Sequence, residues 1–170
     1  MNEQEISNAV KAVLNEMKGT GGKTVCKQNG RGMTLDIANA LIEKVKAKAA
    51  EMGVNAVVAV SDKAGRPVAV QCMDDAYIAS FDIAVNKTYT CASLKMSTAE
   101  LAKLCQPGES LYGLQYTNGG KIVIFGGGEV LEYEGEIVGA LGVSGGSAAE
   151  DTALGAYGKS VFKEVADVFK

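Results

Sequence analysis

The chain has 170 residues, a length that suits one compact domain with a short appendage. Its hydrophobic content is 47%, its charged content is 22% and its formal net charge is -3, which excludes a disordered chain and the basic footprint of a nucleic-acid-binding protein. No apolar run approaches the roughly 18 residues that a membrane span requires, and the N-terminus lacks the pattern of a secretory signal. The sequence therefore predicts a protein that binds neither nucleic acid nor membrane.

The chain contains no histidine. Histidine is the usual general base near neutral pH and the commonest metal ligand, so its absence excludes Ser-His-Asp and Cys-His catalysis. The four cysteines, Cys26, Cys72, Cys91 and Cys105, form no CxxC pair. Their spacing indicates neither a zinc site nor a disulfide framework. We therefore expect no metal site and reduced thiols in a cytoplasmic setting.

The first predicted element is an amphipathic helix over residues 3–18. Its apolar stripe consists of Ile6, Ala9, Val10, Val13, Leu14 and Met17. An isolated helix of this length is marginal in water, so the stripe needs a partner. Residues 19–32 are rich in glycine and predict a linker. The chain thus divides into a helix over 1–18, a linker over 19–32 and a domain over 33–170.

The domain is predicted to alternate helices with antiparallel groups of strands. Its elements are a helix over 35–52, strands over 54–61 and 66–73, helices over 74–95 and 97–105, a strand over 121–125, a hairpin over 129–145 and a helix from 148 to the end. Thr34 is the predicted N-cap of the first helix, and Ser97 with Glu100 has the pattern of a capping box. This order predicts an α+β fold: one antiparallel five-stranded sheet with α-helices packed across it.

Two glycine-rich stretches are candidate binding loops. In "FGGGEV" (125–130), Gly126, Gly127 and Gly128 follow a predicted strand directly. Bare backbone there lets a ligand approach and its N–H groups cup an anion. The alternative is a strand crossing or bulge that has no room for a Cβ atom. No GK[ST] follows, so the stretch is not a Walker-type phosphate loop.

The second stretch is "GALGVSGGSAAED" (139–151), which leads into the last predicted helix. Its candidate residues are Ser144, Gly145, Gly146 and Ser147. They precede a helix N-terminus, which favours anions, but a serine there also serves as a helix cap. Glu150 and Asp151 suit the positive end of the helix dipole, and they could instead pair with a cation of a neighbouring subunit.

Three charged residues are candidates for chemistry. Lys87 lies in an apolar stretch of a predicted helix, where a half-buried lysine can have a lowered pKa and act as nucleophile or base. Such a lysine more often pairs with a carboxylate such as Asp82. Asp74 and Asp75 are adjacent acids that suit the first turn of that helix. Lys87 and Asp75 are therefore the catalytic candidates, each with a structural alternative.

The ordered stretches "VAVSDKAGRPVAV", "MDDAYIASFDIAVNKTYT", "STAEL", "FGGGEV" and "GALGVSGGSAAED" resemble the GlcG/HbpS family, and within it the PduO-type C-terminal domain. The resemblance runs from about Met33 to Val168. It implies a profilin- or PAS-like sandwich with a five-stranded antiparallel sheet, assembled into homo-oligomers. It also implies haem or a related tetrapyrrole or corrinoid as the ligand, and a link to the use of cobalamin.

Haem ligation in that family relies on histidine, which this chain lacks. Bound iron would need a Cys, Met, Tyr or Lys ligand instead. The resemblance places Cys26 and Met33 roughly where the PduO-type ligand is expected. The cofactor-binding residues that it implies are Cys26, Met33, Asp74, Lys87, Gly126, Gly127, Gly128, Ser144 and Gly145.

The opening stretch "MNEQEISNAVKAVLNEMKG" resembles the encapsulation peptides of bacterial microcompartment enzymes. A helix that is unstable alone can fold when its apolar stripe meets a groove on another protein. The resemblance predicts targeting into a microcompartment in the cytoplasm, by docking on a shell protein or on other encapsulation peptides. The residues expected to dock are Ile6, Val10, Val13, Leu14 and Met17. The alternative is a helix that packs on its own domain or mediates oligomer contacts.

Three functions follow from these observations. The first is a microcompartment accessory protein that binds haem or a corrinoid and supports B12 or redox-cofactor maintenance. The second is a small metal-free lyase, tautomerase or reductase that acts on a hydroxy acid or an aldehyde through Lys87 or Asp75. The third is an oligomeric scaffold.

Overall fold

The fold is taken from a computed structural model, which describes residues 32–169. The predicted targeting helix, nearly all of the predicted linker and Cys26 lie outside the described residues. In the described part of the chain, no helix is long and apolar enough to cross a membrane.

Four α-helices and four β-strands make up the described part. In chain order they are α1 (Leu35–Glu51), β1 (Val57–Asp62), β2 (Pro67–Cys72), α2 (Ser80–Leu94), α3 (Thr98–Leu104), β3 (Gly128–Tyr133), β4 (Glu136–Ser144) and α4 (Ala148–Val168). Two single 3-10 turns, Leu114–Tyr116 and Asn118–Gly120, lie between α3 and β3. The mixed α+β class predicted from the order of elements is confirmed.

The strands form one antiparallel sheet in the order β2-β1-β4-β3. Successive side chains of a strand point to opposite faces, so each face collects alternate residues. Val58 and Leu141 lie on the face that packs against α1 and α4, in the main hydrophobic core. Val57 and Ala59 lie on the opposite face and contact Ala84 of α2. The domain therefore has three layers, with the sheet in the middle.

The predicted helix caps are confirmed. The Thr34 hydroxyl accepts a hydrogen bond from the backbone N–H of Ile37 at 3.3 Å and starts α1. Ser97 with Glu100 forms a capping box at α3, and Ser147 with Glu150 forms one at α4. Each box satisfies backbone donors that the first turn of a helix leaves without partners.

The predicted strand over 121–125 is absent, so the sheet of the described residues has four strands rather than five. The backbone of this segment bonds to a helix instead. The N–H of Val123 donates to the Thr90 hydroxyl oxygen at 3.0 Å, and that hydroxyl lies 3.3 Å from the carbonyl oxygen of Lys121. A side chain of α2 thus takes the place that a neighbouring strand would have.

The helix predicted from residue 74 begins six residues later, at Ser80. Asp75 has a φ of 61°, which a right-handed helix does not accommodate. The N-cap position is taken by Ala79, which has no capping side chain. Asp74 and Asp75 therefore do not cap α2, and the backbone ahead of the helix forms a turn that ends in exposed side chains.

Candidate functional site

A buried ion pair joins α2 to the first turn of α4. The Nζ atom of Lys87 lies 2.8 Å from Oδ2 of Asp151, and both side chains are buried. The same ammonium donates to the carbonyl oxygen of Val143 at 2.6 Å, and the Phe125 ring lies 4.9 Å from it. The expected partner Asp82 is wrong: the carboxylate comes from 64 residues further along the chain.

The carboxylate of Asp151 also holds the loop that precedes its own helix. Its Oδ1 atom accepts hydrogen bonds from the backbone N–H of Gly145 at 3.1 Å and of Gly146 at 3.0 Å. Asp151 therefore has partners for both oxygens. One buried side chain thereby fixes α2, the end of β4 and the β4–α4 loop relative to one another.

The three consecutive glycines pack over this ion pair. Gly127 has a φ of 107°, and a Cβ atom there would lie 2.7 Å from Nζ of Lys87 and 2.6 Å from the Val143 carbonyl oxygen. At Gly128 a Cβ atom would lie 2.8 Å from Sγ of Cys91. Real Cβ atoms do not approach other atoms so closely. Close packing alone therefore accounts for the glycines at 127 and 128.

Burial governs the ionisation of the groups in this layer. Removal from water lowers the pKa of Lys87, against the opposing effect of the hydrogen bond and charge of Asp151. Burial raises the pKa of the Cys91 thiol to about 12, so the thiol stays protonated near neutral pH. The two groups are buried and paired or neutral, as members of a closed structural layer usually are.

A cavity of about 430 Å³ opens at the end of the sheet. Its lining residues are Gly53, Val54, Asn55, Asp75, Tyr77, Gly145, Gly146, Ser147 and Glu150. They come from three loops, α1–β1, β2–α2 and β4–α4, and from the first turn of α4. The volume is in the range of small-molecule sites, and concave sites with a few polar groups are where ligands bind.

Two carboxylates of this cavity are in different states of engagement. Glu150 accepts from the backbone N–H and the hydroxyl of Ser147, each at 2.8 Å, and these hydrogen bonds lower the pKa of Glu150. Asp75 stands in the left-handed backbone region described above. Non-glycine residues in this region are uncommon and concentrate at functional sites.

An exposed apolar surface adjoins the cavity. It consists of Tyr77, Ile78 and Phe81, whose exposed fractions are 73%, 97% and 47%. Tyr77 belongs both to this surface and to the cavity lining. Single exposed apolar residues are common, but three close together beside a cavity mark a candidate contact surface. We call these three residues the apolar rim.

The residues predicted from the sequence fall into three places. Lys87 and Gly127 belong to the buried ion-pair layer, and Gly145 connects that layer to the cavity. Asp75 lines the cavity, whereas Asp74 is exposed and is not among the lining residues. Ligand binding by these residues stays a prediction.

The other predicted residues lie apart from the cavity. Met33 is buried in the main hydrophobic core. Ser144 is buried and its hydroxyl hydrogen-bonds that of Ser80 at 3.1 Å. Gly126 packs against the side chain of Thr152. Their roles in binding also remain predictions.

Sequence reasoning missed the pairing of Asp151 with Lys87 and the exposure of Tyr77. A lone lysine in an apolar helix does announce that a buried acid is needed, but no spacing rule names it. Tyr77 had no signal, because it was assigned to a regular helix. Within residues 32–169 no group of three or more potential ligands is placed to hold a metal ion.

The architecture and the site define the class of this molecule: a three-layer α+β domain with a cavity at the end of a four-stranded antiparallel sheet. A family model described as "Haem degrading protein HbpS-like" matches residues 33–159. The chain therefore belongs to the HbpS-like family, which confirms the resemblance seen in its motifs.

Three similar proteins place the chain within that family. A protein of Citrobacter freundii described as an uncharacterized 15.0 kDa protein in the dhaT-dhaS intergenic region is 44% identical over 133 residues, which are 78% of this chain and 94% of that protein. The corrinoid adenosyltransferase PduO of the same species is 40% identical over 104 residues, 61% of this chain but 31% of PduO. The structure of a PduOC:heme complex has a TM-score of 0.73 at 32% identity and covers 76% of this chain and 94% of that one.

Proposed function

We propose that this protein is an accessory protein of a bacterial microcompartment that binds haem or a related tetrapyrrole or corrinoid. In this role it supports the maintenance of B12 or of redox cofactors. The observation that carries the proposal is the likeness to a solved domain whose structure is a haem complex. The PduO relatives, which are named for corrinoid chemistry, support the same ligand class.

The described residues can be tested for fit to such a ligand. A tetrapyrrole needs an apolar surface for its ring and a donor atom for its metal. The buried layer around Lys87 and Asp151 offers neither, because its charges are paired and its space is filled. The cavity with its apolar rim does offer an apolar surface beside polar groups. When bound, haem would supply a redox-active iron at that surface.

The ligand proposal is tested by absorption titration of the purified protein with haemin. We expect a saturable shift of the Soret band at about one equivalent per chain, because a specific site fills once. A titration that matches haemin in buffer alone would contradict haem binding. A parallel titration with cob(II)alamin separates the corrinoid arm, since a response to that probe alone would make the ligand a corrinoid.

The proposed location rests on the N-terminal stretch that resembles encapsulation peptides. The proposed partners are a shell protein or other encapsulation peptides, together with further copies of this chain. Replacing Val10 and Leu14 with Glu places charges on the apolar stripe and should abolish co-purification with microcompartments. Lys11→Glu, which changes a charge on the polar face, is the matched control. Unchanged co-purification of the double variant would defeat the targeting proposal.

A second candidate function is favoured by Asp75, an acid that lines the cavity in a left-handed backbone conformation. A metal-free enzyme acting on a hydroxy acid or an aldehyde would use this carboxylate as its acid or base. Turnover of such a compound that is lost in Asp75→Asn and kept in Asp74→Asn would support it. No turnover of small hydroxy acids or aldehydes by the wild type would exclude it.

A further inference from the structure

The inference concerns the atom that binds the iron, and it rests on the proposed function. Protein ligands to haem iron are His, Cys, Met and Tyr side chains. This chain has no histidine. Of the nine residues that line the cavity, Tyr77 is the one whose side chain belongs to these types.

The sulfur ligands of the described residues are poorly placed. Met33 is packed in the hydrophobic core, and Cys91 and Cys105 are buried. Met73 lies closer to the cavity loops, but its sulfur accepts the backbone N–H of Ala56 at 3.4 Å. Cys72 is exposed, yet it does not line the cavity. Ligation by any of these would require the surrounding structure to change or the ligand to bind elsewhere.

Tyr77 also differs from the other tyrosines. The hydroxyl of Tyr133 hydrogen-bonds Asp167 at 2.6 Å, and that of Tyr89 accepts from Asn118 at 3.2 Å. Tyr112 and Tyr116 are exposed but do not line the cavity. Tyr77 combines exposure, a place in the cavity wall and two apolar neighbours, Ile78 and Phe81.

The local backbone explains how Tyr77 comes to this place. The left-handed conformation of Asp75 ends the extended chain after β2, and the helix begins only at Ser80. The intervening turn presents Tyr77 and Ile78 to solvent rather than to the sheet. A helix that began at residue 74 would have carried these side chains in a regular spiral.

We infer that the phenolate oxygen of Tyr77 is the axial ligand of the haem iron, with Ile78 and Phe81 providing the apolar surface beside it. On binding, the phenol gives up its proton to solvent, and its oxygen forms a bond to ferric iron in place of a water molecule. The iron stays ferric in this exchange. An anionic oxygen ligand stabilises ferric over ferrous iron, so the reduction potential should be low.

The test compares Tyr77→Phe with the wild type, using haemin as the probe. Phe keeps the ring and the apolar area but removes the oxygen, so folding should be preserved. Tyr116→Phe is the matched control at an exposed tyrosine outside the cavity lining. Absorption and resonance Raman spectra of the ferric complex report whether a phenolate binds the iron, and titration gives the dissociation constant.

We expect the phenolate vibrations in the wild type and in Tyr116→Phe, and their loss in Tyr77→Phe with a dissociation constant at least about tenfold higher. If the wild type binds haemin and Tyr77→Phe has the same spectrum, the assignment of Tyr77 is overturned while the proposed function stands. A spectrum that changes in Cys26→Ala instead would assign the thiolate and also overturn it. A wild type that does not bind haemin would reject both proposals.

Discussion

Two neighbouring regions of this domain treat their polar and apolar groups in opposite ways. In the buried layer, the charge of Lys87 is matched by Asp151 and every close approach is occupied. At the cavity a few residues away, the apolar rim faces solvent and Asp75 occupies an uncommon backbone conformation. Gly145 and Gly146 belong to both regions, since their N–H groups bind Asp151 and their backbone lines the cavity.

The contrast separates structural from functional roles. Groups whose partners lie within the fold have no free capacity for a ligand, so their unusual residue types are explained by stability. Exposed apolar area and a cavity beside it are not explained by stability, because burying them would be favourable. We therefore place structure in the first region and binding in the second, and the following experiments break or sharpen that division.

The largest effect is expected from Asp151→Ala. The substitution leaves the Lys87 ammonium buried without its counter-ion and removes the acceptor of two backbone N–H groups. Breaking a buried pair by removing one partner costs about 3–5 kcal/mol of stability. Urea unfolding followed by circular dichroism measures the loss.

The control for that experiment is Asp82→Ala, an exposed acid in the first turn of α2. It removes a charge with no buried partner and should cost less than about 1 kcal/mol. Equal losses in Asp151→Ala and Asp82→Ala would show that the pair contributes no more than a surface charge. The buried layer would then not be the structural region that we describe.

A smaller effect is expected from Gly127→Ala compared with Gly135→Ala. Both glycines have positive φ, 107° and 79°, so both substitutions add backbone strain. Only at Gly127 does the added Cβ atom also meet Lys87 and Val143, since at Gly135 nothing lies within 4 Å. Overpacking adds about 1–3 kcal/mol, so the free energy of unfolding should fall by that much more for Gly127→Ala. Equal effects would mean that the glycine cover is loosely packed.

The pH dependence of stability gives the next effect. The pKa of Lys87 is lowered in the folded protein from its ordinary value of 10.5 by burial. Between the folded pKa and 10.5 the unfolded chain binds more protons, so stability from this group rises with pH. The slope is at most about 1.4 kcal/mol per pH unit for one group.

This pH effect is measured as a difference between variants. Unfolding of the wild type and of Lys87→Met is compared across alkaline pH, and the wild type should gain stability relative to the variant as pH approaches 10.5. Lys159→Met, at a half-exposed lysine paired with Glu129, should follow the wild-type slope. Parallel slopes for the wild type and Lys87→Met would refute the burial effect on this lysine.

The sequence predicted the parts of the fold that depend on local signals. Thr34, Ser97 and their helices obey capping rules that act over three residues, and the hairpins follow from short turns. The 121–125 segment has strand composition, but the Thr90 side chain binds its backbone from 33 positions away at Val123. Long-range contacts of this kind leave no mark in a short window of sequence.

The candidate site was predicted in part, for the same reason. Its glycines and its lysine were recognised as unusual residue types, and Asp75 was recognised as an acid near a helix start. The left-handed conformation of Asp75 could not be predicted, because aspartate adopts both right- and left-handed backbone. Without that turn, Tyr77 and Ile78 read as ordinary positions of a helix.

The smallest effect on stability is expected from Ile78→Ser, and it bears directly on the open region. Ile78 is 97% exposed, so its removal uncovers no core, and stability should change by less than about 0.5 kcal/mol. If a tetrapyrrole ring covers this side chain, the dissociation constant for haemin should rise roughly tenfold, since covering an isoleucine contributes more than about 1.5 kcal/mol. Ile42→Ala, in the fully buried core, should do the reverse: it lowers stability by about 2–5 kcal/mol and leaves haemin binding by the folded protein unchanged. If Ile78→Ser keeps the wild-type affinity for haemin, the apolar rim does not contact the ligand, and its exposure must be explained by a different partner.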